Sequence, residues 1–338
     1  MEQVSVDRVR LSVAEARGLA VSALSKIGYD AAEAGIVADH VIDAALCGYE
    51  YSGLPKILNV AEHRRLRQPR RPLRAVRETS VSTRYDGGNN VGMVTMFHAA
   101  QTAIAKAREH GFAIVGVNNS WLSGRSAYYV EMIARADLIG IHTVSSTRHV
   151  APPGGTRPAI GTNPIAFGFP TAAEPVVIDL GTSAFMSTDL EFRIRRRETL
   201  PEGVAIDAQG NPTRDPALAR LGALLPFGGH KGFALALAMQ GLGVLAGAGD
   251  DVQKSYGYLV IAIKPELMVD LADYRRHLSE TIAQIKATPR QPGVDEIRIP
   301  SERAFRERAR NLHEGIVIDR HIYDALLALP QDRLAKRD

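Results

Sequence analysis

Two short loops constrain this chain more than any other feature: Ile160-Gly-Thr-Asn-Pro164 and Gly228-Gly-His-Lys-Gly232. The second runs directly into the apolar stretch Phe233 to Leu245, so His230 and Lys231 are expected where a buried helix begins. Backbone N–H groups at such an end, joined by a cation, hold an anion, and a phosphate-bearing cofactor is the candidate. Neither loop follows a standard nucleotide motif: no GxGxxG lies between a strand and a helix, and no GxxxxGK[ST] occurs. A nucleotide bound here is held in some other way.

The chain has 338 residues, 45% of them apolar, enough for two domains or one elaborate one. Its longest apolar run, Phe233 to Leu245, is interrupted by Gln240, Gly241 and Gly243. That falls short of the ~18 continuous apolar residues of a membrane span, so no membrane role is expected. The first residues, Met1 to Asp7, lack a basic region followed by an apolar stretch, so no signal peptide is expected either. With a single cysteine, Cys47, this argues for a reducing cytoplasm without disulfides or cysteine metal sites. The net charge of +4 is concentrated in His63 to Arg74 and Arg193 to Arg197. These read as a solvated helix end and a solvated strand, with phosphate attraction as the alternative. No aromatic residues interleave with them, which argues against nucleic-acid binding. His142 and His149 lack metal-ligand spacing and no HExxH occurs, so no metal is expected. His149 is a candidate proton donor if its loop folds over a substrate.

Ser12-Val-Ala-Glu15 forms a capping box that opens a helix to about Lys26, and a second helix carries Ile36, Val37, Val41, Ile42 and Ala45 at helical spacing. A short helix and the basic, Pro-containing stretch 64–74 follow, the latter reading as a domain boundary. Beyond it, Ser82 to Tyr85 reads as a strand, Asp86 to Asn89 as a turn and Val94 to Glu109 as a helix. Ala113 to Val117, Ile139 to Val144, Ala166 to Phe169, Val176 to Leu180 and Gly257 to Ile263 are strand candidates, expected to share one sheet. Leu267 to Ala287, Glu302 to Glu314 and Asp319 to Leu329 read as helices. The pattern predicts an α+β fold: residues 1–75 with 290–338 as a helical domain built from both termini, and 76–289 as a dinucleotide-binding and substrate domain.

Further segments complete a pattern: Ala44-Ala-Leu-Cys-Gly48, Gly111-Phe-Ala-Ile-Val, Gly124 with Tyr128-Tyr129, and Pro152-Pro-Gly-Gly155. Val177-Ile-Asp179 with Thr182-Ser183, Pro201-Glu-Gly203, Asp207-Ala-Gln-Gly210, Thr213-Arg-Asp-Pro216 and Arg298-Ile-Pro300 follow, around the two loops above. In this order they resemble the malate/L-lactate dehydrogenase-like oxidoreductases, over most of the chain. The resemblance implies a non-Rossmann, predominantly antiparallel mixed sheet, NADP or NAD as cofactor with NADPH put first, and a homodimer with its active site near the subunit interface. It also implies hydride transfer between the nicotinamide and a C=O or C=N carbon beside a carboxylate. One branch reduces the cyclic imines Δ1-piperideine-2-carboxylate and Δ1-pyrroline-2-carboxylate.

The family's first active-site loop carries Ser-His-Gly and, three residues on, Arg; here Tyr51, Ser52, Gly53 and Lys56 occupy those places. Lys56 is then the substrate carboxylate's partner, a point charge without the guanidinium fork. Ser52 cannot replace an imidazole acid near neutral pH unless it relays a proton, so Tyr51 and Ser52 are nominated together. Leu122 stands at a second family histidine. Leu122, Ser123, Gly124, Arg125 and Ser126 are nominated as cofactor-binding, with Arg125 as a phosphate partner and a plain surface loop as the alternative. Asp189 matches the imine-reducing branch and would stabilise an iminium; otherwise it is a solvated strand residue among Arg193, Arg195 and Arg196. Thr162 is nominated for substrate, and Asp179, Leu180, His230, Lys231, Arg303 and Arg306 for cofactor. The leading expectation is NAD(P)H-dependent reduction of a small 2-imino or 2-oxo carboxylate. A 2-hydroxy-acid dehydrogenase and a catalytically silent dinucleotide-binding protein are the alternatives.

Overall fold

A computed structural model describes residues 7–249 and 255–330; Met1 to Val6, scanned above for a leader, lie outside them. The chain runs β1 (Arg8–Leu11), α1 (Val13–Lys26), α2 (Ala31–Leu46), α3 (Pro55–Glu62), β2 (Arg74–Glu78), β3 (Ser82–Val91), α4 (Gly92–His110), β4 (Phe112–Trp121) and α5 (Ser126–Ala134). It continues with β5 (Ile139–Ser145), β6 (Ile165–Phe169), β7 (Val176–Leu180), α6 (Ser187–Arg196), β8 (Ala205–Ile206), α7 (Pro216–Leu221), β9 (Ala223–Leu224) and α8 (His230–Leu245). Last come β10 (Gly257–Ile263), α9 (Leu271–Lys286), α10 (Glu302–Glu314), β11 (Ile316–Asp319) and α11 (Arg320–Leu327).

The central sheet has seven strands in the order β2-β3-β4-β10-β5-β6-β7. Only β3 and β4 pair in parallel; every other neighbouring pair is antiparallel. A parallel pair needs a long crossover, and α4 supplies it. Ala113, Val115 and Val117 point to one face of β4, where Met96, Ala99, Ala100 and Ala103 of α4 cover them. On the other face, α8 packs through Gly243 against Ser145 of β5.

The predicted capping box is present: Glu15 N donates to Ser12 Oγ at 3.2 Å and Ser12 N donates to Glu15 Oε2 at 2.8 Å. Asp30 caps α2 by accepting from Glu33 N at 2.9 Å. The chain ends meet, because β1 pairs antiparallel with β11. Leu11, Ile316, Ile318, Ile322 and Leu326 thereby join the core of α1, α2 and α3.

Four expectations are corrected. Asp86 to Asn89 is not a turn but a bulged part of β3, where the register with β4 shifts between Asp86 and Asn90. Arg193 to Arg196 lie in a helix rather than a strand, because Asp189 and Arg193 pair one turn apart and Leu190 and Phe192 are buried. The basic stretch after α3 is not simply solvated: Arg65 donates to Asn89 Oδ1 and Asn119 Oδ1, both at 2.7 Å, and Arg70 pairs with Glu33 at 3.2 Å. Finally, α8 is buried only along Gly232, Ala236, Met239 and Gly243; Leu237, Val244 and Leu245 are 57%, 59% and 62% exposed. No helix among the described residues is long and apolar enough to cross a membrane.

Candidate active site

A 3-10 turn, Glu50–Ser52, follows α2 and sets Tyr51 and Ser52 on the wall of a cavity of about 450 Å³. Gly124, Arg125 and Ser126, from the entry to α5, line it too, as do Asp179 and Leu180 at the end of β7. Pro300 and Ser301 close one side. A second cavity, about 490 Å³, is lined by Leu122 with Asn59, His63, Thr147, His149 and Tyr256. Thr188, in the first turn of α6, lines both cavities, so the N-terminus of that helix stands between them. Among the described residues, no group of three His, Cys, Asp or Glu side chains could hold a metal.

Asp189 follows Thr188 in that first turn; burial raises its carboxyl above the usual range, against the pull of Arg193 at 3.7 Å. Burial pushes the Tyr51 phenol up to about 12, helped by the charges of Asp179 and Asp189. Two carboxylates distant in sequence therefore act on Tyr51. At neutral pH Tyr51 is a protonated donor within the field of two carboxyl groups.

Lys56 is 4% exposed, and its ammonium has no hydrogen bond or ion pair among the described residues. Burial alone lowers its ammonium to about 8. A buried cation is ordinarily paired; this one has no counter-ion among the described residues and is not part of the lining of either cavity. It also helps depress His40 and His63.

His40 explains why glycine follows Ser123. Its Nε2 accepts from Arg125 N at 2.8 Å, and a Cβ on Gly124, whose φ is +77°, would fall 2.1 Å from that nitrogen. Only glycine fits. Leu122 is itself left-handed at φ 53°, which turns the chain away from β4. Ser123 is buried, and its carbonyl accepts from Tyr129 OH at 2.5 Å.

The nominated cations divide sharply. The Arg125 guanidinium is held by Asp43 at 2.7 Å and lies 5.0 Å over the Tyr49 ring. Arg306 is bidentate to Glu296 at 2.8 and 2.6 Å. Arg303 lies 5.0 Å over the Tyr49 ring and has no ion pair among the described residues. Asp179 faces the open cavity with protein on its other sides. Its Oδ2 accepts from Ala127 N at 2.8 Å, capping α5, and burial raises its carboxyl.

The two loops prominent in the sequence are one unit. Thr182 donates through N and Oγ1 to Thr162 O, at 3.0 and 2.9 Å, and accepts from Phe227 N at 3.2 Å through its own carbonyl. Asn163 Nδ2 donates to Ala236 O at 3.0 Å, tying the first loop to α8. Thr162 is 5% exposed and its carbonyl is engaged, while His230 and Lys231 open α8 on the exposed surface, outside both cavities described above.

Sequence reasoning passed over His63, Asn59 and Thr188. His63 stacks on Trp121 with ring centroids 4.3 Å apart and planes at 6°. Nothing in local sequence announces a contact between the end of α3 and the end of β4.

The profile of the malate/L-lactate dehydrogenase family matches residues 11–327. A malate/(S)-sulfolactate dehydrogenase of Methanothermus fervidus is 33% identical over 329 residues, covering 94% of this chain and 96% of that protein. A Δ1-pyrroline-2-carboxylate reductase of Burkholderia multivorans is 32% identical over 347 residues, covering 96% and 98%. A dehydrogenase from Sinorhizobium meliloti superimposes with a TM-score of 0.87 at 32% identity, covering 96% of this chain and 98% of its own. These relatives bear the names of oxidoreductases, and the chain belongs to the malate/L-lactate dehydrogenase family.

Proposed function

We propose that this protein is an NAD(P)H-dependent reductase of a small 2-imino carboxylate, of the cyclic ketimine kind, or of a 2-oxo carboxylate. The buried, unpartnered Lys56 carries the reading, because it supplies the cation that a substrate carboxylate requires. The family's nicotinamide cofactor suits the 450 Å³ cavity. Asp179 lines this space, of ordinary ligand size, and offers an acceptor for a ribose hydroxyl; Arg303, over the ring of the lining residue Tyr49 and without an ion pair among the described residues, offers a guanidinium for a phosphate. When bound, the nicotinamide supplies the hydride.

The rest falls to the chain's own side chains. Lys56 fixes the carboxylate, and Asp189, at the seam between the cavities, favours a positively charged C=N group. Tyr51 stays protonated and Ser52 lies beside it, so the pair can pass a proton to a substrate oxygen. An iminium arrives already protonated, which eases the loss of the family's histidine at Ser52. The pyrroline-carboxylate reductase relative supports the imine, and the malate/(S)-sulfolactate relative supports the hydroxy-acid alternative.

We also read residues 76–289 as the dinucleotide and substrate domain, with 1–75 and 290–338 as its helical companion; β1–β11 pairing supports this. The exposed apolar face of α8 supports a homodimer.

The test is oxidation of NADPH and NADH by purified protein with Δ1-piperideine-2-carboxylate, Δ1-pyrroline-2-carboxylate, pyruvate and oxaloacetate, alongside cofactor binding by fluorescence. Turnover of the imines is expected. Turnover of the oxo acids alone moves the assignment to the hydroxy-acid dehydrogenase. Binding without any turnover leaves a silent family member.

A further inference from the structure

We propose that His63 grips the substrate carboxylate together with Lys56, its Nε2–H supplying the second donor that a lysine standing in an arginine's place lacks. This deepens the function proposed above and rests on it.

Three donor-bearing side chains lie in one row. Lys56, Asn59 and His63 are spaced i, i+3 and i+7 along α3 and its C-cap, which puts them on one helix face. His63, the C-cap of α3, continues this face past the last helical turn. Asn59 and His63 both line the 490 Å³ cavity, and Lys56 is close enough for its charge to depress the His63 imidazole. Among the described residues, neither the Lys56 ammonium nor the Asn59 side-chain amide has a hydrogen-bond partner. An arginine fork would present two parallel N–H groups to a carboxylate; Lys56 presents one charge with no fixed direction.

The His63 ring is held to supply that direction. It stacks on Trp121, itself fully buried and fixed by Nε1 donating to Asn89 O at 3.0 Å. Its Nδ1 accepts from Arg65 N at 3.3 Å, so in the neutral ring the proton sits on Nε2. Nε2 has no partner among the described residues, in a side chain that lines the cavity. Burial, with Arg65, Arg64 and Lys56, brings the imidazole down to about 4, so the ring is neutral at physiological pH. A neutral ring donates a hydrogen bond without giving up its proton. His63 is thus a rigid, uncharged donor beside a mobile cation. No proton or electron moves in this contact.

The variant His63→Phe keeps an aromatic ring on Trp121 and removes the donor, while His63→Gln restores an N–H without the ring. With the acid that the wild type reduces best, His63→Phe is expected to lower kcat/KM by about 10- to 100-fold, mainly through KM, as for loss of a hydrogen bond to a charged group. His63→Gln recovers part of that loss, and the NADPH dissociation constant stays within about twofold. An unchanged KM in a folded His63→Phe overturns the inference. A measurement on the wild type does not depend on the variants folding or on turnover. In protein labelled with ¹⁵N-histidine and saturated with NADPH, the Nε2–H signal of His63 should shift when each of the two cyclic imines, pyruvate and oxaloacetate is added in turn. NADPH binding with no such shift for any of the four overturns the inference alone. Failure to bind NADPH or NADH overturns the function on which it rests.

Discussion

Lys56 is held at a cost, and that cost is measurable. Burial lowers its ammonium from 10.5 to about 8, which corresponds to roughly 3 kcal/mol of desolvation at neutral pH. Replacing it with methionine, of similar length and no charge, should raise the thermal midpoint while reducing turnover by at least about 100-fold. Calorimetry and steady-state assays on Lys56→Met check both; a variant both less stable and still active would show that Lys56 is structural. The sequence nominated Lys56 from its place in a motif, together with Tyr51, Ser52, Asp179 and Asp189; Tyr51, Ser52 and Asp179 line one cavity, and the charges of Asp179 and Asp189 act on Tyr51. What it could not read was commitment. Arg125 and Arg306 are spent on Asp43 and Glu296, and only packing reveals that Arg303 is the nominated arginine left without an ion pair among the described residues. His63 escaped because its stacking partner comes from a distant strand.

Elements were most legible where local chemistry decides them. α1 begins at its capping box, and β7, β10 and α10 match their sequence-predicted ranges. Elements set by tertiary packing were misread: β3 runs through a Gly-Gly pair because β4 and α4 hold it, and α6 was masked by its arginines. The Gly-rich apolar composition of α8 pointed to burial, yet one face is covered and the other bears Leu237, Val244 and Leu245 in the open. A helix apolar all round is buried on all sides, and in the proposed homodimer a second copy covers this face. The double variant Leu237→Glu, Leu245→Glu should then shift sedimentation from a dimer to a monomer and lower activity by about tenfold or more, since two charges in an apolar interface cost several kcal/mol. A dimer that survives both substitutions places the interface elsewhere.

Across the whole molecule, buried neutral histidines tie stability to pH. His40 is enclosed between α2 and the entry to α5, and His142 lies in the sheet, its Nδ1 against Leu259 O at 2.9 Å. Burial, with Arg125 and Lys56, lowers His40 to about 3; burial alone lowers His142 to about 4, against its bond to Leu259 O. The unfolded chain takes up protons below about 6.5 that the folded state refuses, so stability is full above that pH and falls as pH drops toward 4. At pH 5 each residue removes about 2 kcal/mol, together a large part of the 5–15 kcal/mol of a typical domain. Lys56 does not blur this window: its folded value near 8 and unfolded value of 10.5 place its own effect in the alkaline range, where stability rises with pH. The thermal midpoint should therefore drop steeply between pH 7 and 5. The drop should be shallower in His142→Asn, whose amide can still donate to Leu259 O without titrating. A midpoint that stays flat from pH 7 to 5 would mean that these rings reach water and charge freely, and it would also remove the grounds for treating the partly buried His63 as neutral.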